Sequence, residues 1–315
     1  MGSRKKVAVL FPGQGSQYIG MAKEFVEKDS EARAMLAMAE SVSKLPLTQL
    51  CLEGPITELT RTLHLQPAMT VTNLICWLAA SKAGLVADYF AGHSLGEYSA
   101  LCAAGVLTSE DAILLVTERG KLMERESQKN PGSMRAVLGL TIDEVTAITA
   151  EAGNNGVVTA ANYNSEKQIV ISGQMASLDA ATELIAGKGG KVVPLPVSGA
   201  WHSQLVAEAI PDFTIAINMV TFNVPSVPIF FNVTGRSESD PAVIQTVMAK
   251  QIAAMVKWYD IVKEFVAQEV RVFIEIGPKN VLTGLVKKIV PKDYEHVCFQ
   301  IDTPEKLDQC LTAIN

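Results

Sequence analysis

The sequence predicts an α/β fold with a mainly parallel sheet, interrupted by a smaller unit. Three observations carry this. Short apolar runs that end at glycine or proline alternate with helical patterns through the first 130 residues. A β-α-β-β-α-β order fills residues 131–198. After Gly199 the earlier alternation returns.

Taken in order, residues 7–11 are an apolar run that stops at Pro12-Gly13, as a buried parallel strand entering a loop does. Helical patterns follow over about residues 20–40 and 67–82. Residues 89–91 form a second short run that stops at Gly92, and residues 95–104 read as a buried helix rich in Ala and Leu. The character changes near Asn130-Pro131-Gly132. Residues 134–140 read as a strand and 142–152 as a helix with Thr141 as its N-cap. Two β-rich runs, 157–163 and 168–172, are parted by the turn-like Asn164-Ser165-Glu166. A helix over 174–186 ends at Gly187-Lys188-Gly189-Gly190, and 192–197 is the closing strand. That order is the split βαβ of a ferredoxin-like unit. Residues 227–232 and 270–276 are the clearest later strands. The expected division is a discontinuous large domain, 1–130 and 199–315, carrying a small domain at 131–198. At roughly 150 residues per domain, a length of 315 agrees with two.

Composition narrows the function. Hydrophobic residues make up 48% and charged ones 19%, enough for a packed core and against disorder. A mean hydropathy of +0.22 raises the question of a membrane span. No uninterrupted apolar run reaches the roughly 18 residues that spanning needs. The richest stretch, residues 71–90, is broken by Asn73, Ser81, Lys82 and Asp88. Lys and Arg total 27 against 33 Asp and Glu, a net charge of −6, so nucleic acid is not the expected partner. The five cysteines are scattered, with no Cys-x-x-Cys, and read as reduced core residues. Arg4-Lys5-Lys6 lead directly into the first strand pattern with no apolar leader, so a cytoplasmic location is expected.

Gly92-His93-Ser94-Leu95-Gly96 matches the nucleophile-elbow pattern G-x-S-x-G, between a strand pattern and a helix pattern. Small residues flank the serine because a Cβ at the tight turn would clash. The turn lifts the Ser94 hydroxyl to the top of the sheet, and the Leu95 N–H is expected to face a developing oxyanion. Of the four histidines, His64 and His296 read as surface or packing residues. His93 adjoins the serine but is expected to point away and brace the elbow. His202 lies where the chain re-enters the large domain, a position from which a base can cross a cleft. Taken alone it reads equally as a hydrogen-bonded loop histidine. Pro12-Gly13-Gln14-Gly15-Ser16-Gln17 fails the dinucleotide fingerprint, since Tyr18 stands where glycine is required, and it lacks the Gly-Lys-Ser/Thr of a phosphate loop. It reads as a strand-to-helix turn, with the Gln14 N–H as candidate second oxyanion donor.

Phe11-Pro12-Gly13-Gln14-Gly15-Ser16-Gln17, Gly92-His93-Ser94-Leu95-Gly96-Glu97-Tyr98-Ser99-Ala100, Gly199-Ala200-Trp201-His202-Ser203 and Asn232-Val233-Thr234-Gly235 occur in this order. As a set they resemble the malonyl-CoA:acyl carrier protein transacylase family, over about residues 6–290. The resemblance implies a large α/β-hydrolase-like domain with an inserted ferredoxin-like one. It implies Ser94 as nucleophile, His202 as general base, Gln14 and Leu95 as the oxyanion hole, and Arg119 as the cation that holds malonate's free carboxylate. By composition alone Arg119 would read as a helix-surface cation. Gln251 resembles the residue that orients the histidine through its backbone carbonyl. Asn162 and Asn164 match an asparagine-rich strand end facing the cleft. Position 201 departs from the phenylalanine or serine common in the family. Trp201 there is expected to exclude an α-methyl branch, to crowd the pocket and change selectivity, or simply to pack against the insert.

The reaction implied is transfer of malonyl from coenzyme A to the phosphopantetheine thiol of acyl carrier protein, by a monomer, with no metal or bound cofactor. Carrier proteins are acidic, so docking needs a local basic patch, for which Lys188, Lys191, Lys287 and Lys288 are candidates. A hydrolase on the same scaffold would share Ser94 and His202. A catalytically silent docking subunit would be expected to have lost one of them.

Overall fold

The computed structural model describes residues 4–314. Its strands are β1 (Lys6–Phe11), β2 (Tyr89–Gly92), β3 (Ser133–Leu138), β4 (Val158–Ser165), β5 (Gln168–Gly173), β6 (Lys191–Pro194), β7 (Ile229–Phe230), β8 (Ser237–Glu238), β9 (Val270–Ile276) and β10 (Val297–Ile301). They form two sheets, ordered β10-β9-β1-β2-β7-β8 and β4-β5-β3-β6. Every pair in the first is parallel except β7–β8. Every pair in the second is antiparallel. The fold is therefore α/β, a mainly parallel sheet with a separate four-stranded antiparallel one.

β1 shows why its sequence is apolar without alternation. Val7, Val9 and Phe11 face the helices Thr62–Lys82, Gly96–Ala103 and Ser109–Lys129. Ala8 and Leu10 face the helices Trp258–Ala267 and Val281–Ile289 on the opposite side. A strand covered on both faces has no use for a polar face. The second sheet has the ferredoxin-like order, with β3 inside and β4 and β6 at the edges. Its own core, around Val137, Ile148, Ile169, Ile171 and Leu178, packs the helices Ile142–Ala152 and Met175–Gly187 on one face. Thr141 caps the first of these in a reciprocal capping box with Glu144.

Several boundaries differ from expectation, each for a local reason. The pattern at 20–40 is two helices, Lys23–Lys28 and Ser30–Ser43, parted at the extended Asp29, whose carboxylate accepts the Glu31 N–H. The helix expected from residue 67 begins at Thr62 and takes Pro67 inside. The strand expected over 134–140 ends at Leu138, where Gly139 turns to φ +95°. Asn164 and Ser165 lie in β4 rather than in the turn, which falls after them. The strand expected over 227–232 is only Ile229–Phe230, and Asn232 leaves the sheet for the site described below. β10 and the helix Pro304–Ile314 had no counterpart in the sequence reading. The five cysteines are free. No described helix is long and apolar enough to cross a membrane.

The elbow glycines are required by close approach. A Cβ on Gly92 would lie 2.0 Å from the backbone of Gly96, and one on Gly96 would lie 2.0 Å from the Phe11 carbonyl oxygen. Gly96→Ala is therefore expected to destabilise the protein by about 3 kcal/mol, measured as a fall in the urea midpoint. A loss under about 1 kcal/mol would contradict this close approach.

Candidate active site

β2 delivers the chain to a turn in which Ser94 sits at φ +51°. A non-glycine residue there costs roughly 1–3 kcal/mol and must be held. Asn232 holds it: its Oδ1 accepts the Ser94 N–H at 2.6 Å and its Nδ2 donates to the Gly92 carbonyl at 2.7 Å. The Gly96 N–H adds a bond to the His93 carbonyl at 3.0 Å. His93 turns its ring away from Ser94, with Nε2 2.8 Å from Asn164 Oδ1 on β4, and so ties the elbow to the antiparallel sheet.

His202 arrives from the loop after β6, also with a left-handed backbone, φ +57°. Its Nε2 lies 2.7 Å from Ser94 Oγ. Its Nδ1 faces two backbone carbonyls, Gln251 at 3.1 Å and Ala254 at 3.0 Å. Two acceptors on that side assign the proton to Nδ1 and leave the Nε2 lone pair for the serine proton. Among the described residues no carboxylate bonds to the ring; the carbonyls orient it. Burial, then the Arg119 charge and His93, push the His202 imidazole down to about 3. The ring is neutral at ordinary pH, the form a base requires.

Arg119 comes from the middle of the helix Ser109–Lys129 and is 1% exposed, which corrects the helix-surface alternative. Nη1 donates to Gln66 Oε1 at 2.9 Å. Nη2 donates to Gln251 Oε1 at 3.0 Å and to Ser94 Oγ at 3.3 Å. Its Nε has no partner, and the guanidinium forms no salt bridge among the described residues. Burial lowers its pKa. A buried cation beside a hydroxyl, with no carboxylate to neutralise it, is set to receive an anion.

These groups open on a cavity of about 250 Å³. Gln14, Leu95, Asn162, Asn164, Trp201 and His202 line it with Ser94 and Arg119, so the expected site residues converge. The Gln14 and Leu95 amides donate to no other backbone group among the described residues. Trp201 packs as one of the expectations for it had it, with Met123, Met134, Ala136 and Val170 against the antiparallel sheet, and it also lines the cavity. Gln251 contributes its side chain as well as its carbonyl. Lys188, Lys191, Lys287 and Lys288 lie outside the cavity, on the surface.

Other contributors had no sequence-level assignment. Gln66 is a buried amide in an apolar helix. Asn232 and Glu97 stood inside recognised motifs but had no role. Glu275, buried on β9, accepts the Leu282 and Thr283 N–H groups at 3.0 and 2.8 Å, and so caps the helix whose Leu282 and Leu285 form one wall. A polar residue within an apolar run was the only available signal for Gln66 and Glu275.

Residues 9–302 match the family model described as acyl transferase domain. The malonyl CoA-acyl carrier protein transacylase of Bacillus subtilis (strain 168) is 37% identical over 286 residues, covering 90% of each chain. The solved acyl carrier protein S-malonyltransferase of Vibrio cholerae superposes with a TM-score of 0.92 at 35% identity, over 97% of this chain and 99% of that one. A malonyl-transacylase solved in complex with its type II PKS acyl-carrier protein gives 0.93 at 32% identity, over 98% and 99%.

The state of the His202 ring is measurable. Its nitrogen resonances, followed by ¹⁵N NMR, are expected to show no protonation step between about pH 8 and about pH 5. A midpoint near 6.5 would contradict the buried, neutral assignment.

Proposed function

This chain belongs to the malonyl-CoA:acyl carrier protein transacylase family, and on that premise we propose that it moves malonyl from coenzyme A to the phosphopantetheine thiol of acyl carrier protein through an acyl-serine. One observation carries the reading: the Ser94 hydroxyl lies between a neutral imidazole at 2.7 Å and a guanidinium at 3.3 Å that has no carboxylate partner.

His202 Nε2 takes the proton as Ser94 Oγ attacks the thioester carbon. Electrons of the carbonyl move onto its oxygen, which the Gln14 and Leu95 amides stabilise. Collapse of that intermediate breaks the C–S bond, and the departing thiolate takes the proton from His202. The carrier-protein thiol then gives its proton to His202 and attacks the acyl carbon; collapse breaks the C–Oγ bond, and the departing Ser94 oxygen takes the proton back from His202. Coenzyme A thioester is a substrate here, and the steps as written call for no metal or bound cofactor. Arg119 takes the malonyl carboxylate through paired charge-assisted bonds, each contributing roughly 1.5–3 kcal/mol. Trp201, already filling its corner, leaves an α-methyl branch little room.

The solved relative with its carrier protein supports that partner. Lys191 and Gln168 are both register partners of Leu138, and Lys288 Nζ donates to Gln168 Oε1 at 2.9 Å. Lys191 and Lys288 thus flank one end of the antiparallel sheet beside the cavity, which Gln168 lines. With Lys188 and Lys287 they make the basic patch proposed for an acidic carrier protein. We take the working unit to be a cytoplasmic monomer, with 131–198 as a small domain inserted into 1–130 and 199–315.

Incubation with malonyl-CoA alone, followed by intact-protein mass spectrometry, is expected to give one malonyl adduct that persists and is absent from Ser94→Ala. Methylmalonyl-CoA and acetyl-CoA should load more weakly. Absence of an adduct, or rapid turnover to free malonate, would contradict transfer, the latter in favour of hydrolysis.

A further inference from the structure

Glu97 lies in the first turn of the helix Gly96–Ala103 and is fully buried, yet none of the steps above uses it. Burying a carboxyl group is costly unless its oxygens are satisfied. Here each takes one donor: Oε1 accepts the Asn232 N–H at 2.7 Å, and Oε2 accepts Gln251 Nε2 at 2.7 Å. The same Nε2 donates to the Ser94 carbonyl at 2.8 Å. With its nitrogen committed twice on that side, the Gln251 amide can only present its oxygen to Arg119, 3.0 Å away. Reversing the amide would set N–H against guanidinium and oxygen against two oxygens.

We propose that Glu97 is a positioning residue: with one carboxyl oxygen accepting from the Gln251 amide and the other from the Asn232 N–H, it fixes that amide with its oxygen toward Arg119, and it leaves the guanidinium free for the malonyl carboxylate. This rests on the reading that Arg119 binds that carboxylate. A carboxylate touching Arg119 directly would occupy the donors the substrate needs. Glu97 instead stands one side chain behind, so Arg119 is held by two neutral amide oxygens, Gln66 and Gln251, and keeps Nε unpaired. The second branch, through Asn232 to the Ser94 N–H, supports the elbow and serves every acyl group alike.

Glu97→Gln separates the branches. A glutamine offers one acceptor oxygen to two donors, so the Gln251 amide is expected to lose its partner and turn an N–H toward Arg119. Single-turnover loading of Ser94 is followed with malonyl-CoA and, in parallel, acetyl-CoA, which has no free carboxylate. The expected result is a rise of about tenfold or more in the malonyl-CoA concentration for half-maximal loading, with acetyl-CoA loading within about threefold of the unaltered protein. Equal losses for both substrates, or no loss for either, would overturn the proposal. Glu97→Asp keeps two acceptor oxygens and is expected to retain the malonyl-over-acetyl preference even if loading slows. Loss of that preference in Glu97→Asp would also overturn the proposal, whether or not Glu97→Gln folds. Arg119→Ala, measured alongside, isolates the premise. If it keeps the malonyl preference, the carboxylate reading fails; if it loses the preference while Glu97→Gln keeps it, only the role of Glu97 fails.

Discussion

The contact between Ser94 Oγ and His202 Nε2, 2.7 Å long, is the constraint around which the rest is arranged. It joins residues 108 positions apart, and both hold backbone conformations that a side chain disfavours. Neither could be kept there by its own turn. Asn232 clamps one by its side chain, and the carbonyls of Gln251 and Ala254 orient the ring of the other. The glycines beside the serine, the doubly covered β1 and β2, and the antiparallel sheet that reaches His93 through Asn164 supply the rigidity that this strain requires.

The electrostatics follow from burial. A guanidinium, a carboxyl group and an imidazole are all withdrawn from water within one network. Burial pushes the Glu97 carboxyl up to about 8, against the hydrogen bonds of Gln251 and Asn232 and the charge of Arg119. It pushes the imidazole down to about 3. The two shifts run in opposite directions, and burial causes both. The lowered imidazole stays neutral, with the Nε2 lone pair facing Ser94 Oγ. The carboxyl, kept from direct contact with the cation by one glutamine, leaves the positive charge available. Neutral amides from Gln66 and Gln251 do the holding.

Much of this was legible from the chain. The elbow could be read because its glycines, strand and helix are contiguous, and the β-α-β-β-α-β unit because its turns are marked by glycine and asparagine. Thr141 could be read as a cap because its hydroxyl acts on a residue three positions away. Arg119 could not be read from composition, since a helix with charged residues on both sides of it looks solvated. Only tertiary packing of the helix Ser109–Lys129 against Thr62–Lys82 buries that face. Asn232, Glu97 and Gln251 form one hydrogen-bonded group although they are far apart in sequence, and no periodicity records such a group. The strand pattern at 227–232 overruns β7 for a related reason: Asn232 looks like the end of a strand and is instead the clamp of the elbow.

The most direct test is a structure of the protein trapped with malonyl on Ser94. The malonyl carboxylate is expected on Arg119, the ester carbonyl oxygen within hydrogen-bond distance of both the Gln14 and Leu95 amides, and His202 Nε2 still facing the ester oxygen. A carboxylate pointing to solvent with Arg119 turned away, or a carbonyl oxygen bonded to neither amide, would contradict this arrangement.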